Sequence, residues 1–324
     1  MPEPLPFAFA LRALEIHLTF ATLVALAAWA MTSPRRVSAT TKYWIWVATS
    51  INFVLPIGVL IERFRPPNVS WALPLEDFGN DIARKGAIGA ALAACWLLGL
   101  LSMLLRLWLR IRAGRIGAKV PSVPSVSMVP GGFLARGVPV RFEPSGGVPA
   151  VDGLLRPRIV LPAGIHRVLT APELDAILLH ELTHARRRDN LIRLVHEIAV
   201  CAFWFHPLVW LTGSRLSLFR ELSCDEAAVR GARGEDLLSA LAKLANPAET
   251  LLLQAGASSY VMNRVAVLVA PRRTSAVVNA AHAVIFGVVL LAAILCSAFQ
   301  SNLMHRADMG EFCSRHAGNL RSSR

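Results

Sequence analysis

Residues 180–184 read HELTH, within LDAILLHELTHARRRDN. His180 and His184 are four apart, so on a helix both imidazoles project from one side. Glu181 follows the first of them and can reach a water held on a metal. Two ligands and a base on one rigid element suit a hydrolytic zinc centre. The motif leaves zinc one protein ligand short, because a catalytic site uses three and keeps a fourth position for water.

The missing ligand must come from elsewhere in the chain. Downstream acids are Asp189, Glu197, Glu221, Asp225 and Glu226. The best placed are in FRELSCDEAAV, where Glu221 and Asp225 lie four apart on one helical face. One can bind metal while the other orients a ligand histidine through its free ring N–H. Glu226 and Arg230 read as an ordinary charged helix face. His206, in WFHPLVW, is a candidate transition-state stabiliser, although Pro207 beside it also fits a helix boundary.

The element that carries the motif has a clear start. Thr170-Ala171-Pro172-Glu173 has the form of a capping box, with proline in the first turn where its missing N–H costs nothing. Leu174, Ile177, Leu178 and Leu182 form the apolar stripe. Short β-type runs precede it at 138–142 and 158–162, and helical patterns fill 171–270. RPRIVLP could be an edge strand that pairs with an extended substrate, or simply a structural strand.

The surroundings are apolar. Of 324 residues 54% are hydrophobic and only 17% charged, with a net charge of +13. A soluble chain carries about a quarter charged residues. Four runs approach the length needed to cross about 30 Å of hydrocarbon, at 9–31, 43–61, 86–109 and 276–299. Basic residues flank them, as in Arg35, Arg36, Arg110, Arg112 and Arg115. That placement favours membrane over nucleic acid. With basic loops inside, both termini are extracytoplasmic and residues 110–275 are cytoplasmic. Glu15 and His17, costly in lipid, are expected to face other helices.

The expected organisation is a three-helix region at 1–109 and a metal domain at 110–275 that begins with a linker at 113–137. A fourth span at 276–299 and a tail at 300–324 follow. The apolar run 191–211 admits two accounts, a dip into the bilayer or core of the metal domain. Arg186, Arg187 and Arg188 read as lipid-facing or solvated charge. The five cysteines have no CxxC spacing, and Cys95 and Cys296 read as packing residues.

HELTHARRRDNL, then FHPLVW, then RELSCDEAAV, with GLLRPRIVLP upstream, resemble the BlaR1/MecR1-type M56 membrane metallopeptidases. The resemblance extends to about residue 300. It implies a polytopic α-helical membrane protein of four transmembrane helices with an inserted cytoplasmic α+β zincin domain, gluzincin-like, in a bacterial cytoplasmic membrane. The gluzincin pattern E-x-x-[AC]-D makes Glu221 the third ligand to one Zn²⁺ and Asp225 its support. It further implies peptide hydrolysis in signalling, with a cytoplasmic winged-helix repressor as protein substrate. Membrane lipid is the other partner; no direct nucleic-acid contact is expected, and a homodimer is one of the open oligomeric states. A membrane quality-control protease and a metal-stabilised scaffold are the alternatives; Glu181 argues against the scaffold. The relatives are thought to cut themselves, and Arg272-Arg273 is a candidate position. The antibiotic-sensing members carry a penicillin-binding domain after the last helix. The tail here has no S-x-x-K, so direct β-lactam acylation is not expected.

Overall fold

The computed structural model describes residues 7–34, 36–55, 86–116, 137–143, 148–232, 234–244, 264–265, 268–269 and 274–322. The side chains of 7–13, 86–90, 113–116 and 301–322 are outside the description. The described chain is mostly helical. Its helices are α1 (Phe7–Thr32), α2 (Ala39–Val54), α3 (Gly86–Ile116), α4 (Ala171–Arg187), α5 (Asp189–Ala202), α6 (Pro207–Gly231), α7 (Gly234–Leu244) and α8 (Ala276–Ser322). Three strands, β1 (Val140–Glu143), β2 (Ala150–Asp152) and β3 (Arg158–Pro162), precede α4. Strands first and helices after is the expected α+β order.

Three of the described helices are long and apolar enough to cross a membrane, over Leu14–Thr32, Ala91–Arg112 and Ala276–Gln300. These match the first, third and fourth expected spans. The second expected span is described only in part. The 16 residues of α2 reach only about 24 Å, and residues 56–61 lie outside the described chain. α2 also faces protein rather than lipid on much of its surface. Tyr43, Trp46, Thr49, Ser50 and Phe53 are all buried. Its start is set by Ser38, whose hydroxyl accepts the Thr41 N–H at 3.1 Å.

α3 and α8 both run past their apolar runs. α3 continues to Ile116, and α8 stays helical to Ser322 where a tail was expected. Cys95 and Cys296 are on exposed faces, not packed. His17 is buried and lies 3.1 Å from the Phe53 carbonyl, which ties α1 to α2. Glu15 is exposed. Arg272 and Arg273 lie outside the described residues.

The sheet order is β1-β3-β2, with β1 parallel and β2 antiparallel to β3. The RPRIVLP strand is therefore the centre of the sheet, not an edge. Both its flanks are already hydrogen-bonded, so a peptide strand cannot be added to it. Its Ile159 and Leu161 point into a core with Leu174, Leu178, Leu237 and Leu268.

α6 joins two halves of the molecule. Its Leu216, Phe219 and Leu222 pack on Tyr43 and Trp46 of α2 and on Val24 and Ala28 of α1. Its Ala228 belongs to the core under the sheet. One helix thus presents one face to the membrane helices and another to α4.

Candidate metal centre

α4 begins as its sequence requires. The capping box is formed, and Glu173 accepts the Thr170 N–H at 2.8 Å. Lys243 and Ser239 of α7 also bond this carboxylate, at 2.8 and 2.5 Å. The apolar stripe Leu174, Ile177, Leu178 and Leu182 is buried. With that face fixed, His180 and His184 turn toward α6. Their Nε2 atoms are 3.2 Å apart.

Glu221 completes a triangle. Its Oε2 is 3.6 Å from His180 Nε2 and 3.8 Å from His184 Nε2. Its other oxygen, Oε1, accepts from Arg220 at 2.8 Å, which fixes the rotamer. Zinc held at about 2.0–2.1 Å in a tetrahedron needs ligand atoms about 3.3 Å apart. Edges of 3.2, 3.6 and 3.8 Å fit that size after a small contraction.

Each histidine is backed by a carboxylate at its far nitrogen. His184 Nδ1 donates to Asp189 Oδ2 at 2.6 Å. His180 Nδ1 is 3.1 Å from Asp225 Oδ1, close but without hydrogen-bond alignment. The Asp189 bond keeps the Nδ1 proton of His184 in place and turns its Nε2 toward a metal, and Asp225 lies where it can do the same for His180 once aligned. Asp225 is fully buried and bound by Arg264 through two bonds of 2.8 Å. Such a bidentate pair fixes the plane of the carboxylate.

Asp189 reaches His184 because the chain turns sharply between α4 and α5. Arg188 sits there with φ 55°, the one non-glycine residue with positive φ among those described. The left-handed turn costs about 1–2 kcal/mol and places Asp189 at the first position of α5, pointing back. Arg187 and Tyr43 close around the same carboxylate. Arg187 Nη2 donates to Asp189 Oδ2 at 2.7 Å, and the Tyr43 hydroxyl to Oδ1 at 2.6 Å. The guanidinium also lies 4.3 Å from the centre of the Tyr43 ring.

Electrostatics follow from this packing. Burial pushes the Glu181 carboxyl above its usual value. For Glu221 burial acts in the same direction, but the imidazoles of His180 and His184 beside it outweigh it and hold the carboxyl well below. For His184 burial disfavours charge, yet Asp189, Cys224 and Glu221 win and push it up to about 12.

Cys224 offers a rival ligand, since its sulfur lies within 4.8 Å of nitrogens on both histidines. Its surroundings argue against that role. Sγ is 2.8 Å from Arg187 Nη2, the nitrogen that also holds Asp189 behind His184. His180, His184 and Glu221 are the set that could hold zinc and leave a position for water.

The other expected residues fall as follows. His206 is not at this centre. It caps the start of α6, fifteen residues before Glu221 and so about 22 Å away along the helix. Its Nε2 is 3.1 Å from Thr22 of α1. Glu226 is not a solvated charge: it accepts the Ala39 and Thr40 N–H groups at 2.7 and 3.2 Å and caps α2. Arg187 is likewise internal, whereas Arg186 and Arg188 are exposed. Tyr43 and Arg264 carry no sequence signal that links them to the motif. Asp189 had one, since it is an acid next to a run that breaks the helix.

The fold and the site together define a mostly helical membrane protein with a metallopeptidase-type centre. The family model described as BlaR1 peptidase M56 matches residues 10–268. The chain belongs to this M56 family. It is similar to the regulatory protein BlaR1 of Bacillus licheniformis, 28% identical over 243 residues, which cover 69% of this chain and 40% of that protein. It is also similar to the methicillin resistance mecR1 protein of Staphylococcus aureus, 24% identical over 98 residues, 30% of this chain and 17% of that one. The chain thus spans well under half the length of the curated relatives it matches.

Proposed function

We propose that this protein is a zinc-dependent endopeptidase of the cytoplasmic membrane, with a gluzincin-like domain on the cytoplasmic side. In this reading it acts in signalling by cutting a cytoplasmic transcriptional repressor. The observation that carries the reading is the Nε2, Nε2, Oε2 triangle of His180, His184 and Glu221, with buried Glu181 on the same helix. The relatives named as a regulatory protein and a resistance protein support the signalling part.

When bound, zinc supplies a Lewis acid and a water acidic enough to attack near neutral pH. The protein residues do the rest. His180, His184 and Glu221 hold the metal, and Asp189 and Asp225 fix the imidazoles. Glu181 accepts the proton of the attacking water and delivers it to the leaving amine. Its raised pKa suits both halves of that transfer.

The test compares wild type with Glu181→Gln. Both proteins, purified in detergent, are expected to hold about one zinc per chain. Proteomes of cells that express either one should differ by a small set of cleaved proteins, with a repressor among them. Wild-type protein without zinc would overturn the metal reading. Bound zinc with identical proteomes would overturn the peptidase reading. Cleavage confined to misfolded membrane proteins would replace signalling by quality control.

A further inference from the structure

We propose that the α5–α6 hairpin is a re-entrant element whose tip is buried in lipid hydrocarbon and holds the metal centre at the level of the headgroups. This does not depend on the peptidase reading.

From Ile198 to Ser214 the sequence has no Asp, Glu, Lys or Arg. The tip, Phe203–His206, packs against membrane helices rather than against the sheet. Ala199, Val200 and Val209 share a core with Ala21 and Ala25 of α1 and with Phe53 of α2. Trp204 lies directly on α3 at Gly99, where an added Cβ would come within 2.1 Å of the indole. The Trp96 indole donates to the Ala202 carbonyl at 3.4 Å.

These contacts give the depth. Thr22, which meets His206, is ten residues from the end of α1, about 15 Å. Gly99 is eleven residues from Arg110, about 17 Å. Arg110 pairs with Glu197 of α5 at 2.9 Å, and from Glu197 to Trp204 is about 10 Å. All three rulers put the tip about 10–17 Å inside a hydrocarbon layer about 30 Å thick.

Four carbonyls of the tip have partners within the protein, while Trp204 Nε1 and His206 Nδ1 are buried without one. A turn in lipid must satisfy its polar groups from within the protein. The carbonyls of Ala202 and Trp204 accept from the indoles of Trp96 and Trp210, at 3.4 and 2.8 Å. Those of Phe203 and His206 accept from the His206 and Val209 N–H groups, at 2.8 and 3.2 Å. Pro207 has no N–H to satisfy. Ile198, Phe205 and Trp210 are 47, 46 and 39% exposed. Trp210 lies beside Arg106 of α3 and Trp204 on Gly99, so this exposed apolar surface adjoins the apolar span of α3, whose partner is lipid chains. Glu221 is about 22 Å up α6 from the tip, hence about 5–12 Å beyond the hydrocarbon edge.

Nitroxide labels on the full chain in phosphatidylethanolamine/phosphatidylglycerol vesicles test this. Phe205→Cys, Ile198→Cys, Leu98→Cys and Leu155→Cys are made in a background where Cys95, Cys201, Cys296 and Cys313 are replaced and buried Cys224 is kept. Leu98 on α3 and Leu155 beside the sheet are 68 and 67% exposed, and serve as lipid and water references. Position 205 should match position 98, open to oxygen and closed to a water-soluble nickel chelate. Position 198 should be shallower by roughly 7–10 Å. Nickel access at 205 equal to that at 155 overturns the proposal. Should Phe205→Cys fail to give a monodisperse protein, Pro207→Cys, exposed at the same tip, decides by the same criterion.

Discussion

The Tyr43 hydroxyl, on a helix at the membrane end of the molecule, donates to Asp189 at 2.6 Å, and the other oxygen of Asp189 holds His184. The metal centre is therefore built in part by α2. Tyr43→Phe keeps the ring under Arg187 and removes only this bond. Zinc affinity is expected to fall about tenfold, the lower end for loss of such outer support. Competition with a chromophoric chelator on purified protein measures it, and an unchanged affinity would separate α2 from the site.

Glu221 and Cys224 make opposite predictions about zinc. Glu221→Gln should lower zinc content strongly, because the carboxylate in the triangle is lost. Cys224→Ala should leave the stoichiometry near that of wild type. The cobalt-substituted wild type should lack the strong near-ultraviolet band of a thiolate ligand. Its presence would move the third ligand to Cys224.

Zinc uptake should release protons. His184, pushed up to about 12 in the metal-free centre, is protonated at neutral pH, and its Nε2 must be free to bind metal. A raised pKa thus works against zinc below that value. Apparent affinity should climb about tenfold per pH unit between roughly pH 6 and 8. Asp189→Asn, which weakens the charged imidazole, should flatten the slope. Calorimetry in buffers of different ionisation heat counts the protons directly, and a count of zero would contradict the prediction.

Glu226→Ala should loosen α2 from α6, the helix that carries Glu221. The carboxylate caps two N–H groups at the start of α2 and also meets the Thr40 hydroxyl at 3.3 Å. Loss of a cap of this kind costs about 1 kcal/mol. Denaturant unfolding in detergent should show that decrease, with zinc stoichiometry retained in the folded protein.

The sequence by itself determined what is local. HELTH, its capping box and its apolar stripe place His180, Glu181 and His184 on one buried helix, because a 3.6-residue period and a cap are properties of adjacent residues. The apolar runs of α1, α3 and α8 were legible for the same reason, since length and composition decide whether a helix suits lipid. Glu221 was legible only as one of several acids until the resemblance selected it. What tertiary structure decided is which distant groups meet. Arg187 reads as one of three equivalent arginines, yet it lies on the His180–His184 face of α4 and meets Asp189, which the left-handed turn at Arg188 swings inward. RPRIVLP reads as a possible edge, but the unforeseen β2 covers its second flank. Glu226 and Tyr43 face their partners only because α2 packs along α6 and against the start of α5, contacts of residues more than a hundred positions apart. His206 went the other way, since fifteen residues of straight helix carry it out of reach. Periodicity fixes which face of a helix is apolar; only packing selects what that face touches.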